Sequence, residues 1–380
     1  MLKLIRRVAV VLLVIYLALF GLTKAIRYPE PIAAIKLGLA PASKTPDLMP
    51  AHWIVAAPST FAPWQNGNPE TVADVMYDGK KIPFDEFLKS TKTNAFIIVR
   101  DGKITYEAYF NGKTKQTVLP SYSVAKTMTS LLIGQLIDEG KLRESDTFVS
   151  ILPEFKAGTS FDKVTIKDLL DMNSGIGVSD NYPSGPSGWG VAIAQMYATT
   201  DVNWWLLNNR KMREEPGTFA EYRSVNTQML GLIIQNITGR SLSEEFTDRV
   251  WQKMGADYDA TWNVAHKGGY EKAFCCFNAT ARDYARVGQA LMAGSPAIAS
   301  TSWKKRLSTP AVTLDYGWGY SAQMWHPYPR INLMLGLHGQ YIYQDAAHKT
   351  VIVKLSDLPT TADGISPKIT SVLKEISEKN

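Results

Sequence analysis

Ser123 and Lys126 stand three residues apart in Ser-Val-Ala-Lys, and on a helix that spacing places both side chains on one face, within touching distance. A serine hydroxyl is a poor nucleophile until a neighbouring base removes its proton. A lysine can be that base only if burial or nearby positive charge brings its pKa down towards neutrality. A serine at a helix N-terminus also offers backbone N–H groups to a developing oxyanion. The chemistry would be acyl transfer through a covalent serine. The spacing alone selects nothing, because Ser160/Lys163, Ser302/Lys305 and Ser371/Lys374 repeat it.

The surrounding elements separate the four. Phe96–Val99 and Ile104–Phe110 read as strands joined at Asp101-Gly102, with a further turn at Asn111-Gly112. Directly after them, Met128, Leu131, Leu132, Leu136 and Ile137 recur at helical spacing and Gly140 closes the segment, so Ser123–Glu139 is predicted as a helix headed by Ser123. Further helices are expected over 165–172, 228–237 and 280–293. Strand texture returns after Pro310, at 320–325, 331–335, 341–344 and 350–355, and 367–379 closes as a helix. The expected fold is α+β: a mostly antiparallel sheet built from both ends of the chain and flanked by helices, with a helical subdomain inserted at about 141–310.

The net charge of +6 is largely local. Lys3, Arg6, Arg7, Lys24 and Arg27 supply five positive charges to an acid-free segment, so the rest of the chain is nearly neutral. It shows no basic stripe for nucleic acid. Those cations flank an unbroken apolar run, Val8–Leu22, so residues 1–27 read as a signal-anchor or signal peptide. Thr23-Lys24-Ala25 is a poor cleavage site, which favours an uncleaved anchor. Lys3, Arg6 and Arg7 would hold the N-terminus in the cytoplasm and export the catalytic domain to the periplasm or beyond. Residues 28–93, punctuated by prolines, are expected to form a tether and irregular extension before a domain at 94–380. Cys275 and Cys276 are adjacent, and such a pair cannot staple distant segments. They are expected to pack as small residues, without a structural disulfide or metal role.

The segment SYSVAKTMTSLLIGQLIDEGKL (121–142) resembles the nucleophile helix of class C β-lactamases, penicillin-binding proteins and related esterases and amidases. VTIKDLLDMNSGIG (164–177), EEPGTFAEYRSVNTQMLGLIIQNITG (214–239), CCFNATARDYARVGQALMAG (275–294) and the hairpin 336–355 resemble later landmarks of these serine hydrolases, in the same order. Among relatives, the pattern is most similar to 6-aminohexanoate-dimer hydrolases and similar carboxylesterases. The resemblance implies the β-lactamase/transpeptidase-like fold, a serine acyl-enzyme and no cofactor or metal. Tyr222 matches the tyrosine of the Tyr-x-Asn motif and would relay a proton with Lys126. Ser224 stands where many β-lactamases have asparagine. Leu337-His338-Gly339 stands in place of Lys-Thr-Gly, so the cation that would hold a β-lactam carboxylate is missing and His338 is a partial substitute. Gly339 would let substrate approach the strand, and the N–H groups of Ser123 and Gln340 would form the oxyanion hole. Tyr182 falls where nylon-oligomer-type relatives carry a mobile cleft tyrosine. Ser224, His338, Gly339 and Tyr182 are thus the expected substrate contacts.

Competing hydrolase signatures are absent. No Gly-x-Ser-x-Gly elbow, His-Glu-x-x-His set or phosphate loop occurs. The expected activity is hydrolysis of a small ester or amide outside the cytoplasmic membrane. β-Lactamase or D-amino-acid peptidase activity remains open, as does a non-catalytic, membrane-tethered protein that binds peptidoglycan or a peptide. Oligomeric state is not legible.

Overall fold

The computed structural model describes residues 1–57, 63–180, 192–292, 297–359 and 367–379. Its centre is an eight-stranded antiparallel sheet. From one edge the strands run Lys103–Tyr109, Thr93–Arg100, Thr350–Ser356, Gln340–Asp345, Ile331–Gly336, Met324–His326, Gly319–Ser321 and Val312–Thr313. Thr93–Arg100 lies against the last strand, Ile97 opposite Val353 and Val99 opposite Val351, so the two ends of the chain do close one sheet.

Alternation along these strands divides the core. Ile97, Val99, Ile342, Val351 and Val353 face the larger cluster, which includes the Ala125–Asp138 and Ala281–Met292 helices. Phe96, Ile98, Tyr341, Tyr343 and Ile352 face the other side, against Phe84–Ser90 and Pro367–Glu378. The architecture is α+β, with the helical region on the first of these sides.

The Ala125–Asp138 helix is buried almost throughout. Its polar residues survive burial because each hydroxyl has a backbone acceptor: Thr127 Oγ1 donates to Gln323 O (2.7 Å), Thr129 Oγ1 to Ala273 O (2.9 Å) and Ser130 Oγ to Ala322 O (2.6 Å). The helix is thereby fixed to the sheet on one flank and to the 271–276 segment on the other.

Two expectations are corrected. Residues 28–93 are no loose tether: they hold a helix (Pro31–Leu39), a strand (Ala51–Ile54), a hairpin (Asp74–Tyr77 and Lys80–Pro83) and the helix Phe84–Ser90. Ala51–Ile54 pairs with Ala260–Asn263 in a second, four-stranded sheet. The partner lies about two hundred residues on, so no local periodicity announces it. Cys275 and Cys276, expected to pack as small residues without a structural disulfide, form a disulfide with each other. Cys276 takes a left-handed conformation (φ 68°), and the turn it makes brings the adjacent sulfurs together.

Candidate active site

Ser123 sits in a single 3-10 turn, Tyr122–Val124, that leads into the Ala125–Asp138 helix. Tyr122 has φ 45°, so the turn is strained where it presents the hydroxyl. Lys126 is 1% exposed, and its Nζ donates to Ser123 Oγ at 2.8 Å and to Phe274 O at 3.0 Å. Burial brings the Lys126 ammonium down to about 7, with the Asp180 carboxylate pulling the other way. A lysine near neutrality and in contact with a serine hydroxyl can accept its proton at physiological pH.

Tyr222 completes the group. Lys126 Nζ lies 4.9 Å from the centre of its ring. The ring stacks on Trp325 (centroids 5.3 Å, planes 24° apart) and meets Tyr320 edge-on. Burial first, then Asp180, raises the phenol well above its ordinary pKa, although the nearby Ser123 hydroxyl opposes this. Tyr222 therefore holds its proton at neutral pH. Its backbone is pinned on both sides. Glu221 N donates to Met172 O (2.9 Å), and the fully buried Arg223 guanidinium bridges Glu214 (2.6 Å) and Glu221 (2.8 Å).

The other expected site residues are placed differently. Ser224 is buried at the start of the Ser224–Thr238 helix, where its N–H (2.7 Å) and Oγ (2.5 Å) both donate to Asp180. It holds the helix terminus and leaves no hydroxyl proton for a substrate. Leu337-His338-Gly339 forms the turn between the Ile331–Gly336 and Gln340–Asp345 strands, and Gln340 already lies on the returning strand, opposite Gly336. The Gln340 side chain clasps this turn through Leu337 O, His338 O and Ser356 O. His338 Nδ1 is engaged by Leu358 O at 2.6 Å, and its ring lies 4.7 Å from that of Tyr122. Gly339 (φ 79°) serves the turn: a Cβ there would meet Leu358 and Ser356 at about 3 Å. The strand backbone that reaches the nucleophile is Gly336, where a Cβ would stand 2.3 Å from Ser121 O and 3.1 Å from Ser123 N. Tyr182 lies outside the described residues.

The structure thus brings Ser123, Lys126 and Tyr222 together and adds Asp180, Phe274 and Gly336. The sequence carries little signal for these three. Asp180 caps a helix 44 residues away, Phe274 acts through its carbonyl, and Gly336 is one of two glycines in a Gly-Leu-His-Gly stretch whose roles depend on the turn between them. Among the described residues no cluster of His, Cys, Asp or Glu could hold a metal ion.

A serine one turn before a near-neutral lysine, with a tyrosine ring beside the lysine and a glycine strand against the serine turn, is the arrangement expected of hydrolases built on the β-lactamase and penicillin-binding-protein fold. A family model, Beta-lactamase, matches residues 84–370, and the chain belongs to that family. Within it, the chain is 30% identical over 301 residues to the 6-aminohexanoate-dimer hydrolase of Paenarthrobacter ureafaciens, covering 72% of this chain and 75% of that one. Its fold is similar to that of a Bacillus anthracis protein assigned as a candidate 6-aminohexanoate-dimer hydrolase (TM-score 0.77, 26% identity, 92% and 94% of the chains covered). It is also similar in fold to an octameric penicillin-binding protein homologue from Pyrococcus abyssi (TM-score 0.64, 19% identity, 78% and 76% covered).

Proposed function

We propose that the chain hydrolyses small esters or amides through an acyl-enzyme on Ser123. The observation that carries this reading is the 2.8 Å contact between Ser123 Oγ and a buried Lys126 whose pKa is about 7. Neutral Lys126 takes the hydroxyl proton as Oγ attacks the carbonyl carbon. The oxyanion rests on the Ser123 N–H and on the strand backbone at Gly336–Leu337, rather than at Gln340. Tyr222, still protonated, gives its proton to the leaving oxygen or nitrogen and recovers one from the Lys126 ammonium. The same pair then draws a proton from water to release the acid. A linear amide as substrate is supported by the 6-aminohexanoate-dimer hydrolase relative. Efficient β-lactam hydrolysis is disfavoured, since no lysine stands in Leu337-His338-Gly339 to hold a carboxylate.

The Leu2–Ala25 helix is long and apolar enough to cross a membrane and none of it is buried against the domain, which supports an anchored enzyme with the catalytic domain exported. The test is labelling of the detergent-solubilised full chain with a fluorophosphonate, beside Ser123→Ala and with p-nitrophenyl acetate turnover measured in parallel. Labelling and turnover that vanish in the variant are expected. An unlabelled, inactive wild type would end the enzyme reading.

A further inference from the structure

The segment from Glu271 to Cys276 runs between the two helices nearest the site and holds both through main-chain atoms. From the Ala125–Asp138 helix, Thr129 Oγ1 donates to Ala273 O (2.9 Å) and Lys126 Nζ donates to Phe274 O (3.0 Å). From the Ser224–Thr238 helix, which begins two residues after Tyr222, the Gln228 amide donates to Glu271 O (3.0 Å) and accepts from Ala273 N (3.0 Å). Gly231 on that helix allows the approach, since a Cβ there would stand 2.4 Å from the Ala273 methyl. The contact at Phe274 bears on the chemistry. A neutral lysine amine that donates to Phe274 O is no longer free to rotate about its last bond, which helps to keep its lone pair turned towards Ser123 Oγ, 2.8 Å away.

A carbonyl can orient the amine only if the chain behind it is fixed. Just beyond Phe274, the strand Phe277–Ala279 is held in the four-stranded sheet, with Phe277 opposite Trp262. Between carbonyl and strand lie Cys275 and Cys276, and Cys276 has φ 68°, a conformation that residues with a Cβ avoid. This corner sets the direction in which residues 272–275 leave the strand, and so where Phe274 O stands. Hydrogen bonds hold the two sides of the corner: Trp262 Nε1 donates to Lys272 O (3.0 Å) and Cys275 O (2.9 Å), and Asn263 N donates to Cys276 O (2.9 Å). The covalent ring closed by the Cys275–Cys276 bond holds the corner itself. Because the bond joins no distant segments, its whole constraint falls on this one turn.

We propose that the Cys275–Cys276 disulfide is a positioning device for Lys126. By closing the corner it keeps Phe274 O where the amine donates to it, and so keeps the base aimed at Ser123. This rests on the reading above that Lys126 is the base.

The experiment compares the detergent-solubilised full chain with two double variants. Cys275→Ser/Cys276→Ser removes the bond and leaves the left-handed corner unfavourable. Cys275→Ser/Cys276→Gly removes the bond but supplies a residue that adopts φ 68° freely. Inactivation by a fluorophosphonate over a range of concentrations gives a maximal rate and a half-saturating concentration. In the serine pair the maximal rate should fall by about tenfold or more while the half-saturating concentration changes by less than about twofold. The glycine variant should lie between the serine pair and wild type. An unchanged maximal rate in the serine pair would overturn the proposal, as would a half-saturating concentration that shifts as far as the rate, the mark of a site loosened as a whole. A glycine variant no faster than the serine pair, or equal to wild type, would overturn it too, the first by removing the corner from the argument and the second by removing the bond. Should the serine pair fail to fold, the glycine variant decides alone against wild type by the same two readings. Lys126→Met is run in parallel: if it is inactivated as fast as wild type the base reading itself fails, whereas a slow Lys126→Met beside a fast serine pair sinks only this inference.

Discussion

If Lys126 is the base, the acid limb of kcat/KM should report its loss by protonation. With a pKa of about 7, roughly 90% of Lys126 is neutral at pH 8 and roughly 10% at pH 6, so kcat/KM should fall about tenfold across that interval and by about a decade per unit below it. The position of the limb is set by two opposed causes. Burial favours the neutral amine, and the Asp180 carboxylate favours the ammonium. Asp180→Asn removes only the second, and its amide oxygen can still accept a hydrogen bond from Ser224. The limb should therefore move to lower pH and the variant should retain more of its activity at pH 6 than wild type. Lys126→Arg, whose guanidinium stays protonated, should lose about 10²- to 10⁴-fold in kcat/KM at every pH. The assay is initial-rate hydrolysis of p-nitrophenyl acetate from pH 5 to 9 at constant ionic strength, corrected for spontaneous hydrolysis. A flat profile between pH 6 and 8, or a limb that moves upwards in Asp180→Asn, would refute the reasoning.

Tyr222→Phe keeps the stack on Trp325 and loses the proton donor. Its kcat should fall by about 10²-fold or more on an amide and by much less on a p-nitrophenyl ester, whose leaving group needs no proton; equal losses on the two substrates would contradict the assigned role. Gly336→Ala places a methyl 2.3 Å from Ser121 O, a backbone atom that cannot swing aside. Fluorophosphonate labelling and kcat should both drop by about 10²-fold or more as the strand withdraws from Ser123, and near-wild-type kcat would show that the approach is not needed. Burial brings Lys126, Lys272 and Lys354 each to about 7. Between that value and the ordinary 10.5 the unfolded chain holds protons that the folded chain has released, so stability should rise with pH over the window. The Tm at pH 9 should exceed that at pH 7, by a smaller margin in Lys354→Met; a Tm that falls over this range would contradict the burial argument.

Much of the sheet could be read from the chain because its strands carry their own signals. Alternation, Asp101-Gly102 and the β-rich run after Pro310 mark elements that pair with near neighbours or with the opposite end of the chain. The contact between Ser123 and Lys126 is legible because their spacing at a helix start enforces it locally. Tyr222 needed a motif resemblance, since nothing in its own neighbourhood says that it faces a lysine 96 positions earlier. Asp180 could not be read at all: an N-terminal capping carboxylate is ordinarily supplied by the adjoining residue, and this one arrives from a distant loop. In the Gly336–Gln340 stretch the sequence does not show which glycine lies against Ser123. Two glycines three residues apart serve different needs, one a close approach to Ser123 and the other a left-handed corner, and only the hairpin register tells them apart. The prolines of residues 28–60 suggested a leash where the structure has short elements stabilised by remote partners.

The central claim is that Ser123 forms the acyl-enzyme, and the most direct measurement is rapid-quench mass spectrometry of the enzyme turning over p-nitrophenyl acetate. A mass increase of one acetyl group is expected, mapped by digestion to the peptide containing Ser123 and absent from Ser123→Ala. An acetyl group on any other residue during turnover, or full turnover by Ser123→Ala, would contradict it.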